Sequence, residues 1–233
     1  MFVLGAEPGI KISAPCISWL IEGDEGEKIL VDTGPHGSDA LTAGYHNPVE
    51  RLDGQRIDQA LLTEGIGAEE IRFVFFTHLH WDHCYNAGLL VNASFYVQRS
   101  ELAYAIDPIE WNNGAYETKL PGIEPPWLES SERLYTIDGD VELVLGTKVF
   151  HLPGHSPGSA GVAVNTAKGV YVIGGDTIPL LENWEGNSKQ EHLPSAMRTN
   201  LIDYYHSFRK IDKIADEVLA SHDSRSLEKR VYG

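Results

Sequence analysis

The sequence predicts an α/β protein built in two similar halves, and three observations carry that prediction. Short apolar runs of strand length alternate with segments whose apolar residues recur at helical spacing. The order strands, helix, strand occurs once in each half, and in each half the strands run into loops that place His or Asp among turn formers. The 233 residues suffice for one well-buried core and demand no second, so a single domain over residues 1–233 is expected. Such halves would bury their apolar faces by packing sheet on sheet with helices outside. The residues themselves show no repeat, and no linker or low-complexity stretch divides them.

In the first half, the β-like run Lys11 to Ile21, a turn over Gly23 to Gly26 and the short strand Lys28 to Asp32 read as a hairpin. Residues 35–55 are rich in Gly, Pro, Asn and His and too long for a simple connection, which marks a functional or mobile loop. His36 and His46 lie in it, but no spacing argument recruits either as a ligand. Ile57, Ala60 and Leu61 fall at helical spacing within Arg56 to Glu64, and Gly65 and Gly67 end that helix. Ile71 to Phe76 reads as a buried strand ending at Thr77; Asn86 can cap a short helix carrying Ala87, Leu89 and Leu90; Ser94 to Val97 is a strand and Arg99 to Ile106 a helix. From Asp107 to Ser131 the pattern dissolves into Pro, Gly, Trp111, Tyr116 and Trp127, read here as an aromatic lid in preference to an ordinary surface excursion.

In the second half, Arg133 to Asp138, Val141 to Leu145 and Lys148 to Leu152 are strands joined by Gly-containing turns, and Ala160 to Val164 with Gly169 to Ile173 form a hairpin. A second lid is expected from Ile178 to Arg198, with Trp184 and His192. Asn200 to Ile214 reads as an amphipathic helix with Leu201, Tyr204, Tyr205, Phe208 and Ile211 on one face, followed by a last strand, Glu217 to Ala220.

Composition narrows the partners. Eighteen Lys+Arg against 34 Asp+Glu give a net charge of −16, which repels nucleic-acid phosphates and anionic membrane surfaces. The two cysteines are too few for a disulfide framework and fit a reducing compartment. Cys16, in an apolar run, reads as a small buried hydrophobe, and Cys84 as packing beneath the loop it follows. With no targeting signal and no stretch of membrane-spanning length, a cytoplasmic protein is expected.

The chemistry is concentrated in Thr77-His78-Leu79-His80-Trp81-Asp82-His83-Cys84. A single histidine is more often surface or satisfied core than ligand, but three His and one Asp within six residues are too dense for that reading. If the chain stays extended past the strand, His78, His80 and Asp82 project to one side and His83 to another. Imidazole and carboxylate suit zinc and its first-row neighbours, and further His and Asp occur in Pro153-Gly154-His155-Ser156-Pro157-Gly158, Gly174-Gly175-Asp176-Thr177 and Ser221-His222-Asp223.

The loop, followed by His155, Asp176 and His222, resembles the metallo-β-lactamase superfamily over about Ile12 to His222. Leu30-Val31-Asp32-Thr33-Gly34 looks like that family's first-strand signature, and His78-Leu79-His80-Trp81-Asp82-His83 like that of the N-acyl-homoserine lactone hydrolases. The resemblance implies an αββα sandwich, two packed mixed sheets with helices on the outer faces. It also implies two divalent metal ions, zinc by default with manganese, iron or cobalt compatible. His78, His80 and His155 would hold the first, Asp82, His83 and His222 the second, and Asp176 would bridge them. Asp32 becomes a partner beneath the metal loop, with a turn-capping Asp before Thr33-Gly34 as the equal alternative.

A paired site with metals about 3.5–4 Å apart binds a hydroxide and polarises a carbonyl, so hydrolysis of an ester-like bond follows, with Asp82 able to pass a proton to the leaving alkoxide. A lactone is the first substrate choice, a thioester in the manner of glyoxalase II the second and a β-lactam ranks lower; a non-catalytic metal-binding scaffold is the reading outside enzymology. Pro179 stands where the lactonase pattern often has a Tyr, leaving Tyr85, Tyr204 or Tyr205 as substitutes or a different substrate. No G-x-S-x-G elbow supports a serine mechanism. Trp111, Tyr116, Trp127 and Trp184 are expected to line a groove in which each buried methylene gains about 0.8 kcal/mol. The partner is therefore a small ester or lactone, with neither nucleic acid nor membrane, and a homodimer is compatible.

Overall fold

The computed structural model describes residues 2, 3, 9, 11–37, 46, 48–144 and 146–233, so much of the 35–55 loop and the Leu145 end of an expected strand lie outside the described residues. The chain forms two compact units, a central one of Ser18–Thr136 and a terminal one of Met1–Ile17 with Ile137–Gly233.

The central unit contains β1 (Trp19–Glu22), β2 (Lys28–Val31), α1 (Ile57–Thr63), β3 (Phe73–Phe75), α2 (Trp81–Cys84), β4 (Ser94–Gln98), α3 (Arg99–Ile106), α4 (Asn113–Tyr116) and β5 (Leu134–Ile137), whose last residue crosses the boundary. The sheet order is β1-β2-β3-β4-β5, with β1 antiparallel to β2 and β2, β3 and β4 mutually parallel. The expected hairpin is present, closed by the Gly23 N–H donating to the Glu27 carbonyl at 2.9 Å. Its first strand starts only at Trp19, since Pro15 has no N–H to donate and the Ile17 N–H donates to the Ser221 carbonyl instead of to β2. β3 is likewise shorter than Ile71 to Phe76, although Ile71 and Phe76, which flank it, are fully buried with Val74 and Phe75. Ile71, Val74, Phe76, Phe95 and Val97 form the middle of the unit's core with Leu61 of α1 and Leu90. Because β2, β3 and β4 run the same way, the residues that follow them, Asp32, Thr77 and Glu101, leave the sheet at one edge. Asn86 is not the expected cap: it is left-handed (φ 67°), and its amide donates to the Thr33 and Pro35 carbonyls at 2.9 and 3.0 Å.

The terminal unit contains β6 (Val141–Val144), β7 (Thr147–His151), β8 (Ala160–Thr166), β9 (Gly169–Ile173), α5 (Leu181–Glu185), α6 (Leu201–Ile211) and β10 (Glu217–Leu219), in sheet order β10-β9-β8-β7-β6. β6 to β9 are an antiparallel meander and β10 pairs parallel with β9. Strands β7, β9 and β10 therefore run in one direction, and their C-terminal ends share an edge. Ile173 pairs with Leu219, so Asp176 and His222 each lie three residues beyond a matched pair.

α6 covers the sheet through Tyr204, Phe208 and Ile211, which pack with Phe150, Leu152 and Val172, while the buried Ser207 hydroxyl donates to the Pro153 carbonyl at 2.7 Å. Leu201 and Tyr205, expected on that face, are 50% and 60% exposed, because the buried stripe starts at Tyr204 and continues through the helical neighbours of Phe208. Asn200 caps the helix, its side-chain oxygen accepting from the Ile202 and Asp203 N–H groups at 2.9 and 3.2 Å. Among the described residues no helix is long and apolar enough to cross a membrane. Replacing Asn200 with Ala should lower stability by about 1 kcal/mol with an unchanged denaturant slope, measured by urea unfolding.

Candidate metal centre

In the central unit the histidine-rich loop begins two residues after β3 and is tied down at once. Asp32 Oδ1 accepts from the Thr77 N–H at 2.8 Å, and Asp32 Oδ2 accepts from the Thr77 hydroxyl and from His83 Nδ1, each at 2.8 Å. Of the two readings of Asp32, the partner beneath the loop is therefore the one present. Asp32 is left-handed (φ 60°), a conformation Asp tolerates better than most residues, and its N–H donates to the Phe75 carbonyl at 2.9 Å. That kink turns the carboxylate under the loop rather than along the strand.

The loop does not stay extended as expected. After His80 it coils into the single helical turn α2, with the His83 N–H donating to the His80 carbonyl at 3.0 Å. The turn brings the His83 ring back to within 4.1 Å of the His78 ring, closer than the 4.4 Å between His78 and His80. His78, His80 and His83 are buried, whereas the Asp82 side chain is 19% exposed and lies 3.8 Å from His83 Nε2. Cys84 packs beneath, its thiol directed at the Leu79 and His80 carbonyls at 3.5 and 3.4 Å. Burial, then the Asp32, Asp82, Glu117 and Glu101 carboxylates, push that thiol well above the ordinary cysteine range.

In the terminal unit three strand ends supply three side chains. Gly154 (φ 138°) admits the close passage of α6: a Cβ there would lie 2.5 Å from the Tyr204 Cα. His155 follows, and its Nδ1–H donates to the Met197 carbonyl at 2.9 Å. His222 Nδ1–H donates to the Pro15 carbonyl at 2.9 Å, and the Ile17 N–H donates to the Ser221 carbonyl at 3.1 Å. Asp176 faces both imidazoles, with Oδ2 3.5 Å from His155 Nε2 and Oδ1 3.0 Å from His222 Nε2. The Ser221 hydroxyl donates to Asp176 Oδ1 at 2.6 Å.

These contacts assign protons. A carbonyl or carboxylate oxygen only accepts, so Nδ1 carries the hydrogen in His83, His155 and His222. The Thr77 hydroxyl spends its hydrogen on Asp32, so it accepts from His78 Nδ1 at 3.2 Å and assigns His78 the same way. In the neutral tautomer each Nε2 then presents a lone pair. Two such lone pairs turned to separate oxygens of one carboxylate form a donor set suited to cations, and imidazole with carboxylate fits zinc, manganese, iron or cobalt.

Other expectations are corrected. Cys16 is half-buried rather than buried. Tyr116 is fully buried against Glu101 and His80, Trp127 packs half-buried on the central unit's core, Trp184 stacks on His192 at 4.2 Å at the edge of the α6 core, and Trp111 is 92% exposed, so the four do not line one groove. Of the substitutes for the missing Tyr, Tyr204 donates to the Asp176 and Thr177 carbonyls at 2.8 and 2.9 Å, Tyr205 points to solvent, and Tyr85 donates to Glu117. Asp223 is a cap, accepting from the Arg225 N–H at 2.9 Å. Sequence reasoning missed Glu101, Glu117 and Ser221; only an acidic first turn at Glu101 and the serine beside His222 were there to be noticed.

A family model described as Metallo-beta-lactamase superfamily matches residues 14–222. The chain is 30% identical over 187 residues to an N-acyl homoserine lactonase from Bacillus sp, covering 76% of this chain and 70% of the relative. It is 30% identical over 227 residues to the N-acyl homoserine lactonase AttM of Agrobacterium fabrum, covering 93% and 81%. Among solved structures, a B. thuringiensis AiiA variant with N-decanoyl-L-homoserine bound at the active site superposes with a TM-score of 0.75 at 23% identity, over 99% of this chain and 90% of that one. AidC, a dizinc quorum-quenching lactonase with product bound, gives 0.63 at 19% identity over 88% and 71%. The structural likeness establishes the fold class.

The two cysteines differ in accessibility and give a direct check. A thiol reagent should modify Cys16 alone in the native protein at neutral pH and both cysteines in denaturant; rapid native labelling of Cys84 would contradict its packing.

Proposed function

Because the chain belongs to the metallo-beta-lactamase superfamily, we propose that it is a metal-dependent hydrolase, one domain over residues 1–233, that opens lactone rings of the N-acyl-homoserine lactone type. The ligands in this reading are His78, His80, Asp82, His83, His155, Asp176 and His222, with Asp176 shared. One observation carries it: Asp176 turns a different oxygen toward each of two imidazoles whose protons are held on the far nitrogen. Two divalent ions, zinc first, would supply Lewis acidity toward the lactone carbonyl and bring a water's pKa to roughly 7.

The chain's own residues do the rest. Asp32 holds the proton of His83 on Nδ1, and the Pro15 and Met197 carbonyls do the same for His222 and His155, so each ring is aimed before any ligand arrives. The Ser221 hydroxyl places a partial positive charge on Asp176 Oδ1 and fixes its rotamer. Asp82, the one acidic residue of the loop's ligand set and more exposed than Asp176 (19% against 9%), is the group to take a proton from the attacking water and give it to the ring oxygen as the C–O bond breaks. The lactone assignment is supported by the names of the relatives, and opening such a ring on a signalling lactone would be quorum quenching. The free cysteines support a reducing, cytoplasmic setting.

Metal-replete protein should hydrolyse N-acyl-homoserine lactones in preference to hydroxyacyl thioesters and β-lactams; thioester turnover with inert lactones would move the assignment to the glyoxalase II type. Elemental analysis should find close to two metal ions per chain, and one or none after loading would remove the paired reading. Asp176→Asn should cost more activity than His222→Ala, with metal content measured beside the rate, and equal losses at full metal content would argue against the shared carboxylate.

A further inference from the structure

The segment after α3, expected to be a lid, instead grips the ligand loop. Glu101, in the first turn of α3, is fully buried, and its Oε1 accepts from the Leu79 N–H at 3.0 Å and from the Tyr116 hydroxyl at 2.8 Å. Leu79 lies between two of the histidines, and the Tyr116 ring stands edge-on to His80 with centroids 4.5 Å apart. The next residue, Glu117, is also fully buried, and its carboxylate accepts from the Tyr85 hydroxyl and contacts His46 Nε2 at 2.7 Å. His46 in turn stacks on Trp81 at 4.1 Å. Glu117 is left-handed (φ 49°), a conformation uncommon for a residue other than glycine. Two consecutive side chains thus point opposite ways, Tyr116 toward Glu101 and His80, Glu117 toward Tyr85 and His46.

Buried carboxylates and a left-handed non-glycine residue are costly features, and here they share one effect. They restrain the backbone on both sides of the turn that carries His80, Asp82 and His83. We propose that Glu101, Tyr116 and Glu117 are positioning residues of the ligand loop, setting how tightly its imidazoles hold metal, an inference that rests on the metal reading above. They touch neither substrate nor reacting atoms. Removing outer partners that orient metal ligands changes affinity by about 10–100-fold, and here the orientation acts through the Leu79 N–H and the ring packed on His80.

The test uses cobalt(II)-loaded full-length protein, read by its visible ligand-field spectrum and by the rate at which a chelator strips the metal. The double variant Glu101→Leu/Tyr116→Phe removes the carboxylate and hydroxyl together and keeps similar shape, leaving the Leu79 N–H without that acceptor, so a pair that served stability alone would lower the unfolding midpoint and leave both readouts at the parent's values. The expected result is a folded protein with a shifted spectrum and about tenfold faster cobalt release, with Glu101→Gln, which keeps an oxygen for the Leu79 N–H, restored close to the parent. A folded double variant with the parent's spectrum and release rate would overturn the inference. Should the double variant fail to fold, Tyr116→Phe alone decides: severalfold faster release supports it, unchanged release overturns it. Parent protein that takes up no cobalt would defeat the metal reading itself, and this inference with it.

Discussion

An imidazole binds a metal only through a nitrogen that carries no proton, and the placing of that proton is the constraint on which the rest of this structure depends. In His83 a carboxylate holds it on Nδ1, in His155 and His222 backbone carbonyls do, and in His78 a threonine hydroxyl already committed to Asp32 does. Each acceptor comes from a different stretch of chain: Asp32 from the end of β2, Met197 from the segment before α6, Pro15 from the N-terminal stretch. The oddities of the fold serve these acceptors. Asp32 is left-handed so that its carboxylate faces Thr77 and His83, and Gly154 lacks a side chain because α6 passes where one would be.

The sheets make the arrangement economical. In the central unit the parallel run β2-β3-β4 sends Asp32, the ligand loop and Glu101 out of one edge, where the carboxylates meet the loop within a few residues of their strands. In the terminal unit the parallel pairing of β9 with β10 does the same for Asp176 and His222, which emerge in register. That these side chains gather at the carboxyl ends of parallel strands follows from backbone direction before side-chain chemistry is considered.

The strands, α1, α3 and α6 were legible in the sequence because each rests on a local signal, apolar periodicity or a terminating glycine, and the dense His and Asp of residues 78–83 marked the loop that the structure buries. What was not legible depended on distant contacts. The helical turn at Trp81–Cys84 looks like an extension of β3 until the loop's partners, Asp32 and Glu101, are known. Tyr116 and Trp184 look like groove aromatics because composition cannot tell a buried ring from an exposed one; the first is spent on Glu101 and His80, the second on His192. Glu101 and Glu117 carry no motif at all, since a buried acid differs from a surface acid only by what surrounds it.

The central claim, that acceptors on Nδ1 keep the proton off the Nε2 of His78, His83, His155 and His222, is tested most directly by long-range proton–nitrogen NMR correlation of the histidine side chains in zinc-loaded, nitrogen-15-labelled protein. The account predicts that His78, His83, His155 and His222 retain a protonated Nδ1 and show the nitrogen shift of metal coordination at Nε2. Coordination through Nδ1 at any of them, or a proton on Nε2 in the loaded protein, would contradict it.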